Sequence, residues 1–312
     1  MEQSFLAYLR GRTRSLPQVD VGIGDDAAIL SVGDGPLKQV ACTDQIIDGV
    51  DFLSKSQPLA SIGYKSIAIN LSDVAAMGAT PTAALVTLAL PAGDATEIAG
   101  EVYEGILEAC QQYNIAIAGG DLSTHDGPLS ISVTLLGTVL DPWLRSAAIE
   151  GDAVFVSGKL GGSILGRHLR PTPRVVLAQQ LRQHVCVHAA IDVSDGFSLD
   201  LDRMLAASRV GIEMDLDAIP ISEAAEELAA QSGRTPLEHA WSDGEDFELI
   251  FTVAPEEASK LECLELDGGV TRVGTVVGRT GLWKRTPNGK FERVFPQGYV
   301  HEGHCETESV TP

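Results

Sequence analysis

Apolar positions along this chain fall into short runs and helical stripes that alternate, which predicts an α/β (α+β) protein. Residues 39–43 (Gln-Val-Ala-Cys-Thr) read as a short strand that delivers Asp44. Residues 57–77 read as a helix: Ser56 can cap it, Pro58 fits its first turn, and Gly78 stops it. Ile62, Ile69, Val74 and Met77 recur within it at roughly helical spacing, which places Asp73 in the last turns. Residues 83–90 read as a buried strand ended by Pro91 and Gly93. Asp94 and Glu97 then predict a capping box for a helix reaching about Tyr113. Residues 115–118 form a strand running into Gly119-Gly120-Asp121, and 129–139 form another.

The polar, turn-rich stretch 141–152 is where a domain boundary is expected. Beyond it the pattern predicts strands at 153–157, 189–193, 247–253, 271–277 and 281–285. Helices are expected at 161–169, 175–184, 197–208, 222–231 and 256–264, and the residues beyond Tyr299 read as poorly ordered. Each half holds a strand that ends on an aspartate and is followed by a helix, too loose a likeness to mark a duplication.

Composition narrows the function. A chain of 312 residues is long for one core, in keeping with two domains. Aromatic residues make up only 5%, so the core rests on Ala, Val, Ile and Leu. The net charge of −21 argues against nucleic acid and anionic membranes, whose binding needs clustered Lys and Arg. An anionic substrate remains compatible only if metal ions invert the local sign. Five scattered cysteines without a C-x-x-C pair fit a reducing compartment and no zinc site. Met1 to Arg14 lacks the pattern of a signal peptide, and no apolar run approaches the roughly 20 residues that span a bilayer. A cytoplasmic protein is expected.

The chemistry lies in aspartates. Asp25 and Asp26 stand in Gly-Ile-Gly-Asp-Asp-Ala-Ala, Asp44 in Cys-Thr-Asp, Asp73 in Asn-Leu-Ser-Asp, Asp121 in Gly-Gly-Asp, and Asp192 and Asp195 in Asp-Val-Ser-Asp-Gly. Hard oxygen ligands brought together by a fold select Mg²⁺ or a similar ion, and several such ions can seat a polyphosphate. Gly22-Ile-Gly24-Asp25-Asp26-Ala27 superficially matches a dinucleotide loop, but two carboxylates there would repel a pyrophosphate. Taken singly, most of these motifs are equally compatible with turns or helix caps. Asp73 is the exception, because it interrupts an apolar helix and a buried lone carboxylate costs several kcal/mol. Thr43 beside Asp44 fits a metal pair or a turn. Asp192-Val-Ser-Asp-Gly joins a strand to a helix whose free N–H groups could hold a phosphate. Asp243-Gly-Glu-Asp before a strand fits a hairpin turn, and the seven histidines read mostly as surface residues. There is no Walker P-loop and no G-x-S-x-G elbow.

In their order these motifs closely resemble the thiamine-monophosphate kinases, of the superfamily that includes aminoimidazole ribonucleotide synthetase. The resemblance runs from Gly22 to about His301 and includes Tyr64-Lys65, Gly-Glu-Asp-Phe-Glu-Leu and the closing Gly298-Tyr299. It implies an N-terminal metal- and ATP-binding domain over residues 1–145, pairing in a homodimer, and a C-terminal α/β domain over 146–312. It also implies transfer of a phosphoryl group from ATP to thiamine monophosphate with several Mg²⁺ ions. Carried over by position, Asp26, Cys42, Thr43, Asp44, Asp73, Asp121, Asp192 and Asp195 match metal ligands, with Asp44, Asp73 and Asp195 as the catalytic set. Tyr103, Gly120, Asp121, Arg145 and Ser194 match nucleotide contacts, and Asp51, Glu245 and Tyr299 match acceptor contacts. Asp51 replaces the usual His, Cys42 a hydroxyl residue, Asp243 a Gly, Leu122 a Thr and Val300 an Asp. The alternatives are another ATP-dependent enzyme of the superfamily with a different acceptor, and a non-catalytic acidic cation-binding homologue.

Overall fold

A long apolar helix wedged between two sheets organises the molecule. The computed structural model describes residues 2–13, 16–33, 35–286 and 288–300. The expected disorder beyond Tyr299 falls on 301–312, outside the described residues. The first part contains α1 (Glu2–Arg12), β1 (Val19–Val21), β2 (Ala28–Ser31), β3 (Lys38–Ile47) and α2 (Leu59–Ala76). It continues with β4 (Thr80–Pro91), α3 (Ala95–Gln112), β5 (Ala116–His125) and β6 (Ser130–Val139). Its sheet has the order β1-β2-β3-β6-β4-β5 and is antiparallel except between β4 and β5.

The second part runs β7 (Ala153–Ser157), α4 (Val175–His184), β8 (Val187–Asp192), α5 (Phe197–Ser208), β9 (Gly211–Met214) and α6 (Glu223–Ser232). Then follow α7 (Pro236–Ser242), β10 (Leu249–Val253), α8 (Pro255–Leu261), β11 (Val270–Val277), β12 (Gly281–Arg285) and β13 (Phe291–Val294). The sheet order is β13-β12-β9-β11-β7-β10-β8, with only β12 and β9 parallel.

One continuous core joins the two sheets through α2. Ile67, Leu71 and Val74 of α2 share it with Val40, Val133 and Leu135 of the first sheet and Phe155, Leu249 and Phe251 of the second. Alternate residues of β7 and β10, such as Val154 and Ile250, face the other way and pack with Phe197, Leu201 and Leu205 of α5. Burial on nearly every side explains why α2 is apolar beyond one stripe. Its crossing with α3 is close. A Cβ on Gly105 would stand 1.6 Å from the Ala60 carbonyl oxygen, and one on Gly63 1.9 Å from that of Val102.

Several local expectations need correction. Ser56 does not cap α2, whose N-cap is Pro58 without a side-chain hydrogen bond. Asp94 forms no capping hydrogen bond either. β4 is not buried on both faces but alternates, because only its inner face meets α2 and α3. Gly161 to Leu169 forms two single 3₁₀ turns rather than a helix, since Gly161, Gly162 and Gly166 all adopt positive φ. Asp243 to Asp246 is not a hairpin turn: it connects the short helix α7 to β10, and both α7 and β13 escaped the sequence reading. His168 and His239 are buried. Among the described residues no helix is long and apolar enough to cross a membrane.

Candidate active site

Strand alternation divides the sequence-picked aspartates into two groups. β3 continues through Asp44 to Ile47, so Asp44 lies mid-strand. Asp44 pairs with Val133, Val133 with Val86, and Val86 with Gly120, a row on the inner face. The neighbouring row, Gln45, Ser132, Thr87 and Asp121, lies on the outer face, as does Thr43 beside Thr134. Thr43 Oγ1 donates to the Val133 carbonyl at 3.0 Å and accepts from Thr134 Oγ1 at 3.1 Å. Thr43 and Asp44 therefore point to opposite faces. Gly119-Gly120-Asp121 likewise lies within β5, not at its end. The close approach at Gly120 is to β4: a Cβ there would be 1.7 Å from the Val86 carbonyl oxygen.

On the inner side three carboxylates converge. Oxygen atoms of Asp26, Asp73 and Asp192 all lie within 4.8 Å of one another. They come from the loop before β2, the last turn of α2 and the end of β8, so both parts of the chain build the cluster. Ser72 Oγ donates to Asp192 Oδ2 at 2.6 Å. Arg145 forks onto Asp26, with Nη2 to Oδ1 at 2.7 Å and Nε to Oδ2 at 3.2 Å, while its backbone N–H donates to Asp25 at 3.2 Å. Asp44 lies close enough to repel Asp73.

One guanidinium cannot neutralise so many acids. Burial, and then Asp44, Asp192 and Asp26, push the Asp73 carboxyl well above the usual range. Burial and Asp26 do the same to Asp192, and burial raises Asp44. Burial and Asp26 push Asp25 up to about 6. A proton or a cation would relieve this repulsion. Buried, hard, mutually repelling oxygen donors at this spacing suit a divalent ion such as Mg²⁺. Cys42 is a poorer donor: its buried thiol points at the Asn70 carbonyl, 3.5 Å away, and burial with Asp73 and Asp44 pushes its pKa up.

Asp44, Asp73, Asp192 and Asp195 line a cleft of about 860 Å³. Asp51, Lys65, Ser194, Glu245 and Tyr299 line it as well, together with apolar side chains such as Val50, Leu53 and Ile164. Asp51 turns its Oδ2 back to the Ile47 N–H at 2.8 Å, closing its own turn. Among the described residues lining this cleft, Tyr103, Gly120, Asp121 and Arg145 are absent. Tyr103 packs against the first core from α3.

The N–H groups expected to cradle a phosphate before α5 are already engaged. Those of Ser194, Asp195 and Gly196 donate to Asp200 Oδ2 at 3.1, 2.9 and 3.1 Å. Arg203 bridges Asp200 and Asp195 at 2.7 and 2.5 Å. Asp200 and Arg203 were not singled out in the sequence, and Ser72 and Lys65 stood there only within their motifs, without a role of their own. Only Lys65 carried a signal, a lone ammonium inside an apolar helix.

The AIR synthase related N-terminal domain matches residues 24–139 and the corresponding C-terminal domain residues 148–283. The thiamine-monophosphate kinase of Rhodopirellula baltica is 73% identical over 307 residues, covering 96% of this chain and 97% of its own. The chain belongs to the thiamine-monophosphate kinase family. The family member of Bacillus subtilis is 34% identical, with 86% of this chain and 89% of that one covered. Among solved structures, AaThiL complexed with AMPPCP and TMP superposes with a TM-score of 0.81 at 30% identity, covering 96% of both chains. Thiamine monophosphate kinase from Aquifex aeolicus gives 0.78 at 28%, over 95% of this chain and 98% of that one. The two-domain α/β expectation holds in this family frame.

Proposed function

We propose that this chain transfers the γ-phosphoryl group of ATP to thiamine monophosphate, giving ADP and thiamine diphosphate. The observation that carries the reading is the convergence of Asp26, Asp73 and Asp192 beside a cleft of suitable size in a member of this family.

Phosphoryl transfer needs in-line positioning and compensation of charge more than covalent help. Asp26, Asp73 and Asp192 would hold Mg²⁺, with Asp44 and Asp195 beside them in the cleft. Bound Mg²⁺ supplies the positive charge that lets two anionic substrates meet in a protein of net charge −21. Ser72 and Arg145 orient two of the carboxylates. Glu245 and Tyr299 contact the thiamine moiety, and the apolar side chains of the cleft cover its rings and exclude water. Asp51 shapes the turn that bounds this acceptor end. Ser194 and Arg145 lie toward the nucleotide, whereas Tyr103, Gly120 and Asp121 do not line this cleft and are given no part in it.

Thr43, Asp121 and the exposed Leu85 lie on the outer face of the first sheet, through which we place a cytoplasmic homodimer. Chromatographic detection of thiamine diphosphate from ATP and thiamine monophosphate at millimolar Mg²⁺ tests the activity. Formation of product supports it, and ATP consumption with a different acceptor alone would replace it.

A further inference from the structure

Lys65 is buried in α2 with its side chain 1% exposed, yet its ammonium reaches the cleft wall. It donates to Glu245 Oε1 at 2.5 Å and to the Asp51 carbonyl at 3.0 Å. These partners lie on two walls, the 48–53 turn of the first part and the 243–248 segment of the second. The second segment is strained: Glu245 and Phe247 adopt φ of 61° and 51°, left-handed values that side chains other than glycine rarely take. Several bonds hold it there. Glu245 N–H donates to the Ser194 carbonyl at 2.7 Å and Phe247 N–H to that of Val193 at 2.8 Å. Asp243 and Asp246 accept from Gly162 and Gly161 N–H at 3.1 and 2.8 Å, and Arg167 pairs with Asp246. Backbone bonds fix where Glu245 starts, whereas among the described residues Lys65 is the one that holds its carboxylate. Glu245 is 36% exposed, so without that ion pair its side chain is free to swing into solvent.

We propose that Lys65 is a positioning residue for acceptor binding. Its ammonium ties Glu245 to the Asp51 turn, so the cleft presents one preformed carboxylate to the cationic ring of the acceptor. This rests on the acceptor reading above, and the role is affinity for the acceptor rather than nucleotide binding or chemistry.

Lys65→Met tests it, because the apolar stem keeps packing in α2 while the charge is lost. Calorimetry with thiamine monophosphate, Mg²⁺ and a non-hydrolysable ATP analogue should show acceptor binding weakened roughly tenfold, as expected for a lost charge-assisted hydrogen bond. The KM for the acceptor should rise in step while the KM for ATP stays put. Lys65→Gln, which can still donate to both partners, should recover part of the loss. In the double variant with Glu245→Gln the acceptor loss should not exceed that of the worse single variant, because both act through one contact. Unchanged acceptor affinity, equal shifts for ATP and acceptor, or additive losses would overturn the proposal. If Lys65→Met does not fold, Lys65→Gln and the charge-free double variant carry the same test. Wild-type protein that makes no thiamine diphosphate would count against the functional reading instead.

Discussion

Ser72 Oγ donates to Asp192 Oδ2 at 2.6 Å, across 120 residues and from one sheet's helix to the other sheet's strand. The bond holds one carboxylate of the cluster from the residue next to another, so the packing of α2 against β8 and the proposed metal affinity depend on the same contact. Ser72→Ala should therefore lower Mg²⁺ affinity by roughly tenfold, typical of losing a group that orients a ligand. Magnesium titration followed by thermal shift checks this. Unchanged affinity would show that Asp192 holds its orientation alone.

Asp73→Asn should reduce turnover by more than the roughly 10–100-fold seen when an orienting group is lost. It keeps the side chain's size but removes a charge that Asp44, Asp192 and Asp26 all repel. The metal-free variant should melt above the wild type. Near-normal kcat would show that Asp73 serves packing only.

The metal-free protein should lose stability as the pH rises. Asp25 titrates near 3.8 when unfolded and about 6 when folded, because burial and Asp26 favour its neutral form. The folded state then binds more protons between those values. Its contribution is fully present below 3.8 and is lost as the pH passes through about 6. Asp73 and Asp192 act in the same direction. Melting temperatures without Mg²⁺ should fall from pH 5 toward 8, and millimolar Mg²⁺ should restore more at pH 8 than at 5. A metal-free profile that rises with pH would contradict the repulsive cluster.

Gly105→Ala should destabilise the fold by roughly 3 kcal/mol, the upper range for overpacking. The added methyl would meet the Ala60 carbonyl at 1.6 Å and force α2 and α3 apart. Urea denaturation measures it, with a second readout in activity because α2 carries both Lys65 and Asp73.

A homodimer built through the first sheet should give twice the chain mass by light scattering at micromolar concentration. Leu85 is 41% exposed on β4, in the outer-face row that also holds Thr134 and Thr43. Leu85→Glu should shift the mass toward the monomer, and a monomeric wild type would rule the dimer out.

Local pattern alone determined much here. The periodicity of α2, the apolar runs of β7 and β10 and the aspartate motifs were legible because burial writes itself into spacing and because carboxylates beside glycines are chemically conspicuous. Resemblance of the ordered motifs identified the family and suggested the fold before any coordinate. Tertiary structure decided which aspartates meet. Asp44 and Thr43 are neighbours in sequence but face opposite sides of β3, whereas Asp26, Asp73 and Asp192 are far apart in sequence and converge. It also decided that Asp200 consumes the N–H groups before α5 and that Lys65 spans both walls of the cleft. Such facts depend on strand register and on helix packing between two sheets, which long-range contacts set and no short window of sequence encodes.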